Sequence, residues 1–419
     1  MARPTIPIAP ATQVEGGPRP TTAPPKAASR SLLLSPHRLA FFAGGVSLLL
    51  ASFAWAVWLF LSSAGVSVTT ALPPTLAHGF VFAAAYMPLF IAGFMFTAGP
   101  RWLDVPSPPA TLLIWPVRLH VAGILLVLLG TVVSPGTAAF GSLLLAIAWT
   151  AVGVAFATLV RSSRARDRLH ARCVLAFWIA GIAAALLFAA GLATHQFGVV
   201  AAAVWLLVFA CIAPITVTVA HRVLPFFTSN AVTTLVPWRP NWVLGLLVAG
   251  ILVFGGLQVA GRFDLTGAKS ISWLTLTVVA PISLALIALA IRWGLVQSLR
   301  GPSLRLLAML HVAVVWIPLA LALAAIDAAW VLLGAGAPRL GLMPLHALTI
   351  GFLGSMLFAM ATRVISGHVG LAVTADTFVW RLVWGLQAAT LLRLAAPLSP
   401  AASVGLPLAS AALWTLIWT

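Results

Sequence analysis

The chain has 419 residues, 62% of them hydrophobic and only 7% charged, a balance that no water-soluble domain can bury. Its net charge of +17 would suggest nucleic acid in a soluble protein, but the cations are spread over alternate loops, which excludes one nucleic-acid-binding face. Cations so placed orient membrane spans and meet the anionic lipid of the bilayer.

Residues 1–30 are rich in Pro, Ala and Thr and contain no apolar run, so a disordered cytoplasmic tail is expected there. They lack the charged-then-apolar start of a signal peptide. Residues 31–419 are expected to form a single membrane domain. A bilayer core about 30 Å thick takes about 20 apolar residues per helix. Such runs fall at 39–61, 76–99, 114–133, 138–160, 171–192, 197–220, 241–260, 272–293, 304–326, 343–362, 379–397 and 402–418. The fold class predicted is an all-α polytopic membrane protein, a twelve-helix transmembrane bundle. With the N-terminus cytoplasmic, 19 of the 23 Lys and Arg lie on the inner side, leaving Arg262, Lys269, Arg339 and Arg393 outside. That bias predicts both termini cytoplasmic. Two cysteines, Cys173 and Cys211, make neither a disulfide framework nor a Cys-x-x-Cys pair.

Ionisable groups within spans are functional candidates, because burying them is costly unless they are paired or ligated. Acids are almost absent: Glu15 is in the tail, and Asp104, Asp167, Asp264, Asp327 and Asp376 lie in loops or at span ends. A proton-coupled carrier, which normally keeps a carboxylate near the midplane, is therefore disfavoured. Histidines are more telling. His78 opens the second span and His346 the tenth, both near the outer face, and His195 lies in an outer loop. His120 and His311 sit at inner ends of spans, His221 closes the sixth at the inner face, and His368 follows the tenth. His37 and His170 adjoin basic loops and are expected to be solvated.

Neutral imidazole ligates haem iron and copper, and two helices can supply one axial ligand each. His78 and His346, at equal depth on separate helices, suit a porphyrin standing between them. The plainer alternative is that each imidazole only bonds a carbonyl or water. On the tenth span Thr349, Met356 and Met360 share the His346 face, the methionines reading as packing before soft copper ligands. Arg363 follows His346 at about 26 Å along the axis, at the opposite interface, where lipid phosphate or a haem propionate would meet it. Pro88 predicts a kink in the second span.

Three stretches carry a family resemblance: "HGFVFAAAYMPLFIAGFMFTAGPRW", "RVLPFFT" and "LHALTIGFLGSMLFAMATRVISGHVG". Together they resemble the NnrS family of bacterial inner-membrane proteins. The resemblance implies a haem- and copper-containing protein tied to nitric oxide metabolism and resistance to nitrosative stress. Carried over by position, it implies His78, His346 and His368 as haem or metal residues, with Arg222 and Arg363 as motif arginines. His221 is added as a candidate metal residue, and Arg101 joins Arg363 as a candidate propionate partner. Gly79 departs from the Glu that usually follows the first histidine, and His221 stands where a small residue is common. Twelve helices with histidines on the second and tenth also resemble the haem–copper oxidase core. The seventh span, however, has no His-His pair and the sixth no His-x-x-x-Tyr, so a dinuclear reduction site of that kind is not expected. Two other classes stay open: a transporter or channel for a small solute, and a single-haem enzyme acting on nitrogen oxides. An electron-transfer partner is left unspecified.

Overall fold

The computed structural model describes residues 32–334, 340–369, 375–398 and 403–419, apart from the side chains of 367–369. The tail at 1–30 therefore lies outside the described residues. What is described is helical, with no strand among the described residues.

Helix α1 is Pro36–Ser63. The second span is broken into α2, Pro74–Ala84, and α3, Met87–Met95, followed by the short α4, Ala98–Leu103. Pro88 is the cause: it has no N–H and its ring crowds the carbonyl four residues back, so the ladder stops at Ala85 and Tyr86. Helices α5, Ile114–Val133, and α6, Pro135–Ser162, form a tight hairpin. Ser134 caps α6 by accepting the Thr137 N–H at 3.1 Å, and Pro135 sits where a missing donor costs nothing. The two helices can touch because Gly123 faces Gly141. A Cβ on Gly123 would meet the Gly141 carbonyl at 2.7 Å, and one on Gly141 would meet the Gly123 carbonyl at 2.6 Å.

Next come α7, Leu169–Ala193, and α8, Phe197–Leu206, which widens into a π-helical turn at Leu207–Ile212 before α9, Ala213–Ala231. Helix α10 is Asn241–Arg262, and α11, Ala268–Leu274, widens at Thr275–Val279 before α12, Ala280–Arg292. Pro214 and Pro281 each follow a widened turn by two residues, so the wide turn absorbs the clash a proline makes with the preceding turn. A single turn, α13 (Leu295–Ser298), leads to α14, Arg305–Leu332. The tenth span begins as α15, Met343–His346, runs through a third π-helical stretch at Ala347–Gly354, and continues as α16, Ser355–Val369. Helices α17, Thr377–Ala395, and α18, Gly405–Trp418, close the chain.

Ten helices among the described residues are long and apolar enough to cross a membrane, from Pro36–Ser63 through Met343–Ser366, so the chain is a multi-pass membrane protein. The last two expected spans are helical but fall short of that standard. Helix α17 carries Arg381 and Arg393, and α18 has 14 residues. Helix α18 is tied to α1 by Trp414, whose indole N–H donates to Ser52 Oγ at 2.9 Å. The end of the bundle bearing residues 163–168, Arg222, Arg239 and Arg305 is the basic end; His78, His195 and His346 lie toward the far end.

Candidate functional site

Between α1, α2, α8, the tenth span, α17 and α18, toward the far end, lies a cavity of about 500 Å³. That is within the ~300–1,000 Å³ of small-molecule sites. Its walls are mostly apolar, and His78, His346, Arg262 and Arg393 face it. Two of the three π-helical stretches contribute wall residues, Val208 and Ile212 from one and Thr349, Ile350 and Leu353 from the other. Such turns recur at functional sites because they re-aim side chains out of the regular helical spacing.

His78 sits two turns before the Pro88 break. Its ring stacks on Trp55 of α1, centroids 3.9 Å apart at 17°, and leans on Phe82 at 4.5 Å. The ring is thus held by carbon contacts, while Nδ1 is buried and has no hydrogen-bond partner. An orphaned buried imidazole nitrogen is uncommon, since an unmade bond costs about 1–3 kcal/mol. His346 is oriented differently. Its Nδ1–H donates to the Leu342 carbonyl at 2.9 Å, which leaves the Nε2 lone pair for a ligand. Each imidazole therefore keeps a nitrogen that the protein does not satisfy.

Arg393 of α17 is half-buried on the cavity wall and interacts electrostatically with both imidazoles. Its side chain makes no hydrogen bond or ion pair among the described residues, and neither does that of the more exposed Arg262. A half-buried guanidinium at membrane depth needs a counter-anion. Gly79 lines the same cavity; a Cβ there would meet Val204 Cγ1 at 3.0 Å, so the small residue fits the close wall.

The remaining site candidates lie elsewhere. Arg101 is exposed on α4, and Arg363 is half-buried with its guanidinium 3.7 Å above the Phe227 ring. Neither faces the large cavity, so the arginines brought to the histidines are Arg393 and Arg262 instead. The side chain of His368 is outside the described residues. His221 is fully buried near the basic end and pairs with His170, which is also fully buried rather than solvated as expected; His37, at 3% exposure, is buried too. The His221 bonds leave nothing spare. Its Nε2–H donates to the Pro240 carbonyl at 3.2 Å, so Nδ1 must accept, and it takes the His170 Nε2–H at 2.9 Å. His170 Nδ1 then accepts from Arg222 at a long 3.4 Å, and Arg222 donates to Asp167 at 3.1 Å. Arg222 also lies 4.8 Å from the Trp102 ring centre. Asp167 is outside the spans: burial pushes its carboxyl up, but the Leu169 N–H and the Arg222 guanidinium outweigh this and hold it below the ordinary carboxylate value.

His120 is spent as well, donating from Nε2 to the Ala85 carbonyl at 2.9 Å and accepting the Trp149 indole N–H on Nδ1 at 3.0 Å. His311 donates from Nε2 to Thr228 Oγ1 at 3.0 Å, and its buried Nδ1 has no partner. Among the described residues no three His, Cys, Asp or Glu converge as a metal cage, and both cysteines are free.

Trp55, Arg262 and Arg393 are cavity residues that sequence reasoning missed. An arginine in the last turn of a helix reads as an interface anchor, and a tryptophan on the first span gives no hint of which ring it will stack on.

No curated protein matches the chain. The family described as NnrS protein matches residues 31–419, and the chain belongs to that family.

Proposed function

We propose that the chain is a haem-binding protein of the bacterial inner membrane that handles nitric oxide or a related small gas. One observation carries the reading. Two imidazoles from separate helices, each with an unsatisfied nitrogen, face one apolar cavity of about 500 Å³ with a half-buried arginine that lacks an anion. Two imidazoles on one cavity, apolar walls and two guanidinium groups match the chemistry of a porphyrin, whose iron takes imidazole and whose carboxylates take cations. His78 and His346 would hold the group through their unused nitrogens, and Arg393 with Arg262 would meet its carboxylates. When bound, the iron would supply electron transfer, and it would take up a diatomic gas only where one of the two imidazoles gives way. Trp55 keeps the His78 ring from rotating, and the Leu342 carbonyl keeps His346 in the tautomer whose Nε2 can ligate. Nitric oxide comes from the family resemblance rather than from the cavity.

For copper, no three His, Cys, Asp or Glu meet among the described residues, and the thioethers of Met356 and Met360 line a separate, smaller cavity. Full topology belongs to the same proposal: twelve membrane-crossing helices with both termini cytoplasmic, which reporter fusions at 1–30 and after Thr419 would test. A second reading, a binding protein or transporter for a small anionic solute, is favoured by the unpaired Arg393 alone.

An absorption spectrum with iron and copper analysis of protein purified under full haem supply separates these readings. A Soret band lost in His78→Ala and His346→Ala supports haem. Anion uptake into proteoliposomes by iron-free protein would sink it in favour of the solute reading.

A further inference from the structure

A second, smaller cavity of about 80 Å³ lies toward the basic end, below the first along the same helices. Met87, Met95, Met356 and Met360 line it, four of the seven methionines in the chain. Its one polar side chain, Thr216, already donates its hydroxyl to the Ile212 carbonyl at 2.8 Å. A water held there would lack the two to four polar partners it needs, so the space is dry. An apolar cavity of about 150 Å³ takes benzene or xenon; one of about 80 Å³ is too small to enclose an aromatic ring and suits a diatomic gas or a single xenon atom.

The two cavities are stacked. Met87 lines both, and the turns Ile212 to Ile215 and Leu353 to Met356 step from one to the other. Met87 follows the Ala85–Tyr86 break, where α3 begins, and an unbranched thioether can swing between rotamers with little strain. The rim of the small cavity, including Phe41, Phe90, Phe94 and Val219, is half-buried and entirely apolar.

We infer that the methionine-lined cavity is a docking site for a small apolar gas on its way between the bilayer and the histidine cavity, with Met87 as the neck. The identity of the gas as the ligand of the histidine site rests on the function proposed above; the docking site itself does not.

Xenon is the probe. Full-length, haem-free protein with isotope-labelled methionine methyls is pressurised with xenon and followed by NMR. The methyls of Met87, Met95, Met356 and Met360 are expected to shift saturably, while those of Met309 and Met343, outside the cavity, stay put. No shift, or shifts confined to Met309 and Met343, would overturn the site. In haem-loaded protein, Ala361→Phe, which fills the small cavity without touching the large one, should slow nitric oxide association several-fold at an unchanged Soret position. An unchanged rate would overturn the route. Absence of a Soret band bears on the haem reading alone, because the xenon measurement uses protein without haem.

Discussion

Histidines gather at two levels of the bundle, and their hydrogen bonds divide them. At the far end His78 and His346 face a cavity, and each keeps a ring nitrogen unused. Near the basic end His170 and His221 are fully buried, and their bonds to each other, to Arg222 and to the Pro240 carbonyl consume all four nitrogens. Residue type is the same in both places. What separates a ligand site from a structural strut is the bookkeeping of donors and acceptors.

Substitutions can break this contrast. The largest effect is expected from His78→Ala and His346→Ala, each abolishing the Soret band of haem-loaded protein, while His221→Ala leaves the band in place. A weaker but clear loss is expected from Arg393→Gln, with haem affinity in a titration falling roughly 10–100-fold, the scale for groups that support a ligand from one layer out. His221→Ala should instead lower stability by about 1–3 kcal/mol, read as a lower unfolding midpoint in detergent, because it strands the His170 Nε2–H and the Pro240 carbonyl. If His221→Ala removes the spectrum and His346→Ala does not, the two levels have been assigned the wrong way round.

The smallest effect belongs to Asp167→Asn. Its ion pair with Arg222 is half exposed, at 51% for the Asp167 side chain, and such pairs are worth about 0–1 kcal/mol. The carboxyl is held below its ordinary value in the folded chain. Its contribution is therefore present above the unfolded carboxylate value of about 4 and is lost as pH falls through the lower folded value. Unfolding midpoints of the parent and Asp167→Asn should converge in that acid range and differ only slightly at neutral pH.

Much of this arrangement is legible in the sequence, for physical reasons. Length and hydropathy set the spans: the third is expected at 114–133, and α5 is Ile114–Val133. The break at Pro88 follows from a missing donor. The shared depth of His78 and His346 follows from each opening a span at the same side. The pairing of His170 with His221 was not legible, because it joins residues 51 apart across two whole spans, and the basic loop just before His170 suggests solvent. Nor was the place of Arg393, which meets His78 only because α17 and the second span wall the same cavity. The widened turns were half legible: Pro214 and Pro281 mark two of them, whereas nothing local announces the one after His346.

That last turn makes the site depend on chain length. A π-helical stretch holds one residue more than the α-helix it replaces, and one residue is worth about 100° around the axis. Removing a single residue between Ala347 and Gly354 would let the segment relax to a regular helix. His346 would then swing about 100° relative to α16, and the neighbouring wall residues Leu342 and Leu345 would turn with it. The tenth span should therefore accept no deletion here, much as a key tolerates no change in the spacing of its teeth.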